Sequence, residues 1–239
     1  KRCLNKEKYY NLPLESIMKN PSLKDNGEES IKQIEQLFIK EDISSIIIEG
    51  SSGSAGCILY PVNYLKKLEK MCRENNILII CDEVMSGFGR TGDFFAHSKH
   101  NITPDIITCA KGITSGYIQL GAVLLSKKVS DIFNYNSVMC GLTYSGHPLA
   151  CTIANKCLDL YLENDMELIN NVNPKSIIML NNCLPLVEKY DCIKEYRNNG
   201  LLGCFELNFS LRILHQFMLF TKWSIDVYSI FLNPLNGYF

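Results

Sequence analysis

The sequence lacks several features that would assign a function from composition alone. Acidic and basic residues nearly cancel, giving a formal net charge of −1 over 239 residues, so electrostatics indicates neither nucleic acid nor an anionic membrane as a partner. Because no run of about 18 uncharged apolar residues occurs, no transmembrane helix is expected. Residues 1–10 contain no apolar stretch of the kind that a signal peptide requires. We therefore expect an intracellular protein, in the cytoplasm or the mitochondria.

Metal-ligand and disulfide patterns are also missing. The four histidines are not spaced as metal ligands, so no metal site is predicted. Eleven cysteines are present, but none forms a Cys-x-x-Cys pair, and Cys81 and Cys109 lie within apolar runs. Scattered cysteines of this kind are typical of buried, reduced thiols.

A nucleotide-binding P-loop protein is one class that the sequence argues against. The segment ILIICDE resembles the Asp-Glu strand of such proteins, and EGSSGSAG at 49–56 is a Gly/Ser-rich turn after a strand. However, the chain contains no G-x-x-x-x-G-K-[ST], so the lysine that would reach the phosphates is absent.

Short apolar runs that alternate with amphipathic segments predict an α/β protein. Four runs fit buried strands: 46–49, 77–81, 105–109 and 122–125. Four segments fit helices: 28–40, 61–75, 147–163 and 175–190, the last bent by Pro185. This alternation predicts parallel βαβ units in a three-layer α/β/α fold with a mostly parallel sheet.

Two charged residues stand just beyond two of these strands. Asp82 follows the run that ends at Cys81, and Lys111 comes two residues after the run that ends at Cys109. Either residue alone is most often a solvated loop residue. Because ligands of open α/β sheets bind outside the carboxyl ends of the strands, an acid and an amine at these positions can converge on one ligand.

The motifs around the two residues resemble those of the class III aminotransferases, which use pyridoxal 5'-phosphate (PLP). They occur in that family's order: DEVMSGFGRTG (82–92), PDIITCAKGITSGY (104–117), LGAVLLS (120–126) and GLTYSGHPLAC (141–151). The residues of these motifs are most similar to those of the family's omega or taurine–pyruvate branch. The resemblance implies PLP-dependent transferase fold type I, with three parts: a partial PLP-binding large domain (1–165), the start of a small C-terminal α+β domain (166–208) and an unmatched apolar tail (209–239).

The resemblance also implies roles for individual residues. Lys111 matches the family's Schiff-base lysine, which moves a proton between substrate and cofactor. Asp82 matches the acid that keeps the cofactor's ring nitrogen protonated, and Val84 matches the residue that packs on the ring. Thr143 matches a threonine that reaches the cofactor phosphate of the neighbouring subunit, which implies a homodimer; the alternative is that Thr143 or Ser145 caps the following helix. Glu83 points to the other side of the strand and is expected to be structural.

The implied reaction transfers an amino group from an amino donor to a keto acceptor such as pyruvate. An aminomutase or decarboxylase could use the same acid and lysine, and a non-catalytic subunit that pairs with a full-length homologue is a further alternative. The family's upstream phosphate loop and ring-stacking aromatic residue have no counterpart, and Gln119 stands where many relatives have proline. We therefore expect a fragment that binds PLP weakly and is weakly active or inactive alone.

Overall fold

A computed structural model describes residues 27–208, in which four strands form the main sheet. Their order is β1-β2-β3-β4, with bounds β1 Ser45–Glu49, β2 Leu78–Asp82, β3 Ile106–Cys109 and β4 Ala122–Leu125. The first three strands run parallel, as predicted, whereas β4 is antiparallel to β3. The connection 110–121 between β3 and β4 contains only a short helical turn, and it lacks the longer helix that usually carries a parallel crossover.

Five helices accompany the strands in the described part of the chain. They are α1 Glu28–Lys40, α2 Tyr64–Glu74, α3 Lys127–Ser130, α4 Pro148–Asn170 and α5 Val172–Lys189. Inside α4 the backbone leaves helical geometry at 163–166, which is where the sequence predicted the helix to end. Pro185 lies within α5. No helix between residues 27 and 208 combines the length and the apolarity that crossing a bilayer requires.

One face of the sheet is covered by α1 and α2. Alternate strand residues on this face are buried and pack against apolar side chains of the two helices: Ile46, Ile48, Ile79 and Cys81 against Ile34, Leu65, Leu68 and Cys72. Burial of each large side chain of this kind contributes about 1.5–3 kcal/mol. This cluster holds β1 and β2 rigid up to the strand ends.

The opposite face of the sheet is open within residues 27–208. Ile47 is 58% exposed and Leu125 is 38% exposed, although both belong to apolar strands. Residues that are partners across the strands share a face, so the register Ile47–Ile80–Ile106–Leu125 runs as an apolar row over this side. The described residues therefore supply the sheet and one helical layer of the α/β/α arrangement.

A second, smaller apolar cluster lies beyond the ends of β2 and β3. Its buried members are Phe88, Cys109, Ile113 and Ala154, and Phe94, Leu158 and Tyr161 pack against them. The cluster joins the loop after β2, the turn after β3 and the first part of α4. Leu120 and Ala122 also pack against it, so the cluster ties together three of the four family motifs and the helix that begins in the fourth.

A two-stranded antiparallel sheet follows α5. It consists of β5 Ile193–Asn199 and β6 Leu202–Leu207, joined by a turn in which Gly200 has a φ of +61°. The guanidinium of Arg197 donates to the carbonyls of Gly56 and Cys57, so this sheet is tied to the loop after β1. The domain boundary at 165/166 stays a prediction, and the tail 209–239 lies outside the described residues.

Candidate active site

Asp82 and Lys111 lie at the same edge of the sheet. Asp82 is the last residue of β2, one position later than the predicted strand end, and pairs with Thr108 of β3. Lys111 begins the short helical turn Lys111–Thr114, two residues after β3 ends. Because β2 and β3 are parallel neighbours, both residues are at the carboxyl ends of adjacent strands. That geometry is the one expected from the sequence, while their chemical roles stay predictions.

The Asp82 carboxylate is partly satisfied within its own turn. Its Oδ1 accepts a hydrogen bond of 3.0 Å from the backbone N–H of Val84. Its Oδ2 accepts none from any residue that the structure describes. The side chains of Asp82 and Val84 are partly exposed. Because Asp82 lies on the open face of the sheet, its Oδ2 can accept a hydrogen bond from a bound molecule.

Lys111 is exposed and lines a cavity of about 700 Å³. Small-molecule sites typically measure about 300–1,000 Å³. Within residues 27–208 the amine of Lys111 makes neither a hydrogen bond nor an ion pair, so it is available to a ligand. The remaining lining comes from two nearby segments: Ala110, Thr114, Gly116, Ile118, Gln119, Leu120 and Gly121 from the first, and Leu142, Tyr144, Ser145 and Gly146 from the second.

Thr143 is exposed and is flanked by residues that line this cavity, but it does not line the cavity itself. The alternative that Thr143 or Ser145 caps the following helix is wrong. Helix α4 begins at Pro148 with His147 as its N-cap, and no side chain makes a capping hydrogen bond. Proline at the first position already removes one of the donors that a cap would satisfy, so the threonine hydroxyl is left for another partner.

Glu83 is fully buried and closes the glycine-rich loop that follows β2. Its Oε1 accepts hydrogen bonds from the backbone N–H and the Nδ1 of His97, at 2.8 and 2.9 Å. Its Oε2 accepts from the Ser86 hydroxyl and from the Ala96 N–H. Burial raises the pKa of Glu83, but these hydrogen bonds outweigh burial and leave the pKa below its ordinary value. An ionised carboxylate only accepts, so His97 Nδ1 carries the hydrogen.

The loop between Glu83 and His97 packs against the turn that begins at Lys111. Phe88, at the loop's centre, is buried, and a Cβ added to Gly112 would lie 2.8 Å from the Phe88 Cβ. Only glycine allows this close approach, which explains the glycine that follows Lys111. Sequence reasoning had no role for Phe88 or His97, because neither carries a spacing signal linking it to Lys111.

The buried thiols near the strand ends are protonated and unreactive at neutral pH. Burial and then the nearby charge of Glu83 raise the pKa of Cys81 to about 12. Burial also raises the pKa of Cys109. Since the thiolate is the reactive form, these cysteines are poor nucleophiles at neutral pH.

The known proteins that match this chain are aminotransferases. The family model described as Aminotransferase class-III matches residues 4–219. Gamma aminobutyrate transaminase 2 of Solanum lycopersicum is 40% identical over 151 residues, which are 59% of this chain and 33% of the relative. The adenosylmethionine-8-amino-7-oxononanoate aminotransferase of Staphylococcus aureus is 35% identical over 185 residues, which are 74% of this chain and 40% of the relative.

A solved structure supports the same grouping. The taurine:2-oxoglutarate aminotransferase from Bifidobacterium kashiwanohense, in complex with PLP and glutamate, superimposes with a TM-score of 0.72 and is 37% identical, covering 79% of this chain and 42% of that one. The chain thus spans 33–42% of the length of these relatives. The family match covers most of the chain and extends beyond both ends of the motif-bearing region. The chain belongs to the class III aminotransferases.

Proposed function

We propose that this chain carries the lysine-bearing part of a PLP-dependent aminotransferase, which transfers an amino group from an amino donor to a keto acceptor such as pyruvate. The observation that supports this most is that Lys111 lines a ligand-sized cavity at the carboxyl edge of the sheet. Asp82 ends the neighbouring parallel strand. Family membership gives this pair its chemical meaning.

The residues present fit PLP. The Lys111 amine and the Asp82 Oδ2 have no partner among residues 27–208, so each is available to the cofactor. Ser145 lines the cavity, and the resemblance assigns the Thr143 hydroxyl to the phosphate of a neighbouring subunit; hydroxyl groups suit a phosphate. An amine, a carboxylate and hydroxyls are the donor set that the aldehyde, the ring nitrogen and the phosphate of PLP need.

When bound, PLP supplies an aldehyde that combines with amines and a ring that takes up an electron pair. Lys111 would hold the cofactor through Nζ and, once released, move a proton at the substrate carbon. Asp82 would hold a proton on the ring nitrogen through Oδ2, since an adjacent opposite charge typically shifts a pKa by about 1–3 units. Val84 would exclude water from one face of the ring.

A trapping experiment tests this function. The purified chain is incubated with PLP, the absorbance is recorded, the mixture is reduced with borohydride, and the modified lysines are mapped by mass spectrometry. We expect weak binding and a pyridoxyl group on Lys111, lost in Lys111→Ala and kept in Lys128→Ala, an exposed lysine of α3. Modification spread evenly over exposed lysines contradicts the proposal; tight binding at Lys111 contradicts only the expected weakness.

A homodimer with shared active sites is the second part of the proposal. The segment before α4 exposes many large apolar side chains: Ile132, Phe133, Tyr135, Val138, Met139, Leu142 and Tyr144. Contiguous exposed apolar surface of this kind marks protein interfaces. Thr143 lies within the segment and is exposed, which suits contact with a cofactor phosphate in a neighbouring subunit. Sedimentation velocity over a range of protein concentrations tests whether the chain pairs with itself.

The same exposed surface favours one alternative, a non-catalytic subunit that pairs with a full-length homologue. Co-purification with such a homologue, with activity found only in the mixture, would support this alternative over a self-sufficient enzyme. Product analysis separates transamination from the other PLP reactions: a new amino acid formed from the keto acceptor supports an aminotransferase. Loss of carbon dioxide would indicate a decarboxylase, and an isomeric amine would indicate an aminomutase.

A further inference from the structure

The backbone around Lys111 is in a conformation that its neighbours must hold. Lys111 has a φ of +39° and Ser115 a φ of +50°, both in the left-handed region that residues other than glycine rarely adopt. Such backbone persists at functional positions only where the surrounding structure determines it. The contacts of the turn Lys111–Thr114 therefore decide the direction of the Lys111 side chain.

One side chain of α4, that of Tyr161, forms hydrogen bonds to Gly112 within this turn and to Ser115 just after it. The Tyr161 hydroxyl donates to the carbonyl of Gly112 at 2.7 Å. It also lies 2.6 Å from the hydroxyl oxygen of Ser115. A phenol has one hydrogen to donate, and the carbonyl can only accept, so the Ser115 hydroxyl is the donor in the second bond. Tyr161 thus bridges the residue after Lys111 and the residue that closes the turn.

The ring of Tyr161 is held in its own place by the loop after β2. Its centroid lies 5.8 Å from that of Phe88 and 6.3 Å from that of Phe94. Phe88 in turn packs directly on the backbone of Gly112. The phenol and Phe88 therefore contact the Lys111 turn together.

We propose that Tyr161 is a positioning residue for Lys111. It does not line the cavity beside Lys111, so it acts through the turn and not on a bound molecule. Its two hydrogen bonds hold the left-handed backbone that directs the amine toward the cavity. This inference rests on the proposed function of Lys111, and it adds a residue from a distant helix to that site.

Tyr161→Phe is the sharpest test, because it removes both hydrogen bonds and keeps the ring. At a PLP concentration below saturation, we expect the pyridoxyl group trapped on Lys111, and the associated imine absorbance, to fall at least about fivefold, since fivefold is the equilibrium factor of a single ordinary hydrogen bond. Tyr117→Phe is the matched control, since Tyr117 is 81% exposed and follows the same turn. Its trapping should equal that of the native chain.

Trapping at Lys128 in the same samples separates positioning from a general structural effect. A positioning role lowers the ratio of Lys111 to Lys128 modification with little change in the melting temperature. A ratio equal to that of the native chain overturns the inference and leaves the proposed function intact. An equal fall at both lysines, with a lower melting temperature, overturns it too, since Tyr161 would then act on the whole fold.

A measurement without PLP keeps the inference testable if the proposed function fails. The amide of Ile113 donates to Ala110 and that of Ser115 donates to Gly112, so both report on the turn. We expect hydrogen exchange at these amides to be about fivefold faster in Tyr161→Phe than in Tyr117→Phe. Unchanged exchange would overturn the inference whatever PLP does. Absence of trapping in the native chain would overturn the proposed function alone.

Discussion

Two neighbouring acids, Asp82 and Glu83, have opposite surroundings. Strand alternation sends them to opposite faces of the sheet. Asp82 lies on the open face, and one of its oxygens has no hydrogen bond to residues 27–208, whereas Glu83 is fully buried and accepts four hydrogen bonds. The first is the residue proposed to meet the cofactor, and the second closes the loop after β2. The sequence expectation that Glu83 is structural agrees with this geometry.

Glu83→Gln tests the buried carboxylate. A neutral amide cannot accept all four bonds, and its NH₂ group would face donors. We expect the free energy of unfolding at neutral pH to fall by about 3 kcal/mol, because buried donors would lose the charged acceptor that they share. Urea unfolding measures the loss. Glu188→Gln, at an exposed position in α5, should change it by less than about 0.5 kcal/mol.

Glu83 should make the folded chain less stable as the pH falls into the acid range. The pKa of Glu83 in the folded chain is below its ordinary value of 4.5. Its stabilising effect is therefore complete above about pH 4.5 and is lost as the pH falls through the folded-state pKa. Below pH 4.5 the native chain should lose stability more steeply than Glu83→Gln. Equal slopes would contradict the role given to this carboxylate.

At the scale of elements, the site depends on contacts between segments far apart in sequence. The loop after β2, the turn after β3 and helix α4 meet in the cluster around Phe88. The two-stranded sheet is anchored separately, through Arg197, whose side chain is only 14% exposed. Its Nη1 lies 2.8 Å from a Glu206 oxygen, and its Nε lies 2.9 Å from the Gly56 carbonyl oxygen.

Arg197→Lys tests this anchor. A lysine amine is a single point charge and cannot meet the carbonyls after β1 and the carboxylates of the small sheet at once. We expect the free energy of unfolding to fall by about 2 kcal/mol. Lys194→Gln removes the other, exposed partner of Glu206, at 57% side-chain exposure, and should cost less than about 1 kcal/mol. Similar losses in both variants would argue against an anchor at Arg197.

At the scale of the whole molecule, the described residues leave much apolar surface uncovered. The open face of the sheet and the segment before α4 both expose large side chains, such as Ile47 and Met139, the second at 91%. Large contiguous apolar patches on a protein surface typically mark interaction sites. The homodimer proposed above would cover part of this surface.

Met139→Lys tests association through the segment before α4. A charge at this position must lose its hydration when a partner packs on it, so we expect at least tenfold weaker self-association. Sedimentation velocity at several concentrations measures this. Val62→Lys is the control, because Val62 is also exposed, at 76%, but lies just before α2. An equal effect of both variants would indicate nonspecific aggregation.

The local sequence determined most of the elements and supplied the candidates for the principal site residues. Apolar periodicity located the strands and helices because burial alternates with period two or 3.6. The motif order then indicated the family and singled out Asp82, Lys111 and Thr143. These features involve residues that are close together in the sequence, so a local pattern reveals them.

Only the tertiary structure decided which distant groups support Lys111. Tyr161 lies 50 positions along the chain from Lys111 and has no spacing relation to it; its two hydrogen bonds exist because α4 folds back over the end of β3. The direction of β4 and the partners of Glu83 likewise depend on chain reversal and burial. Contacts of this kind follow from packing in three dimensions, which no local pattern encodes.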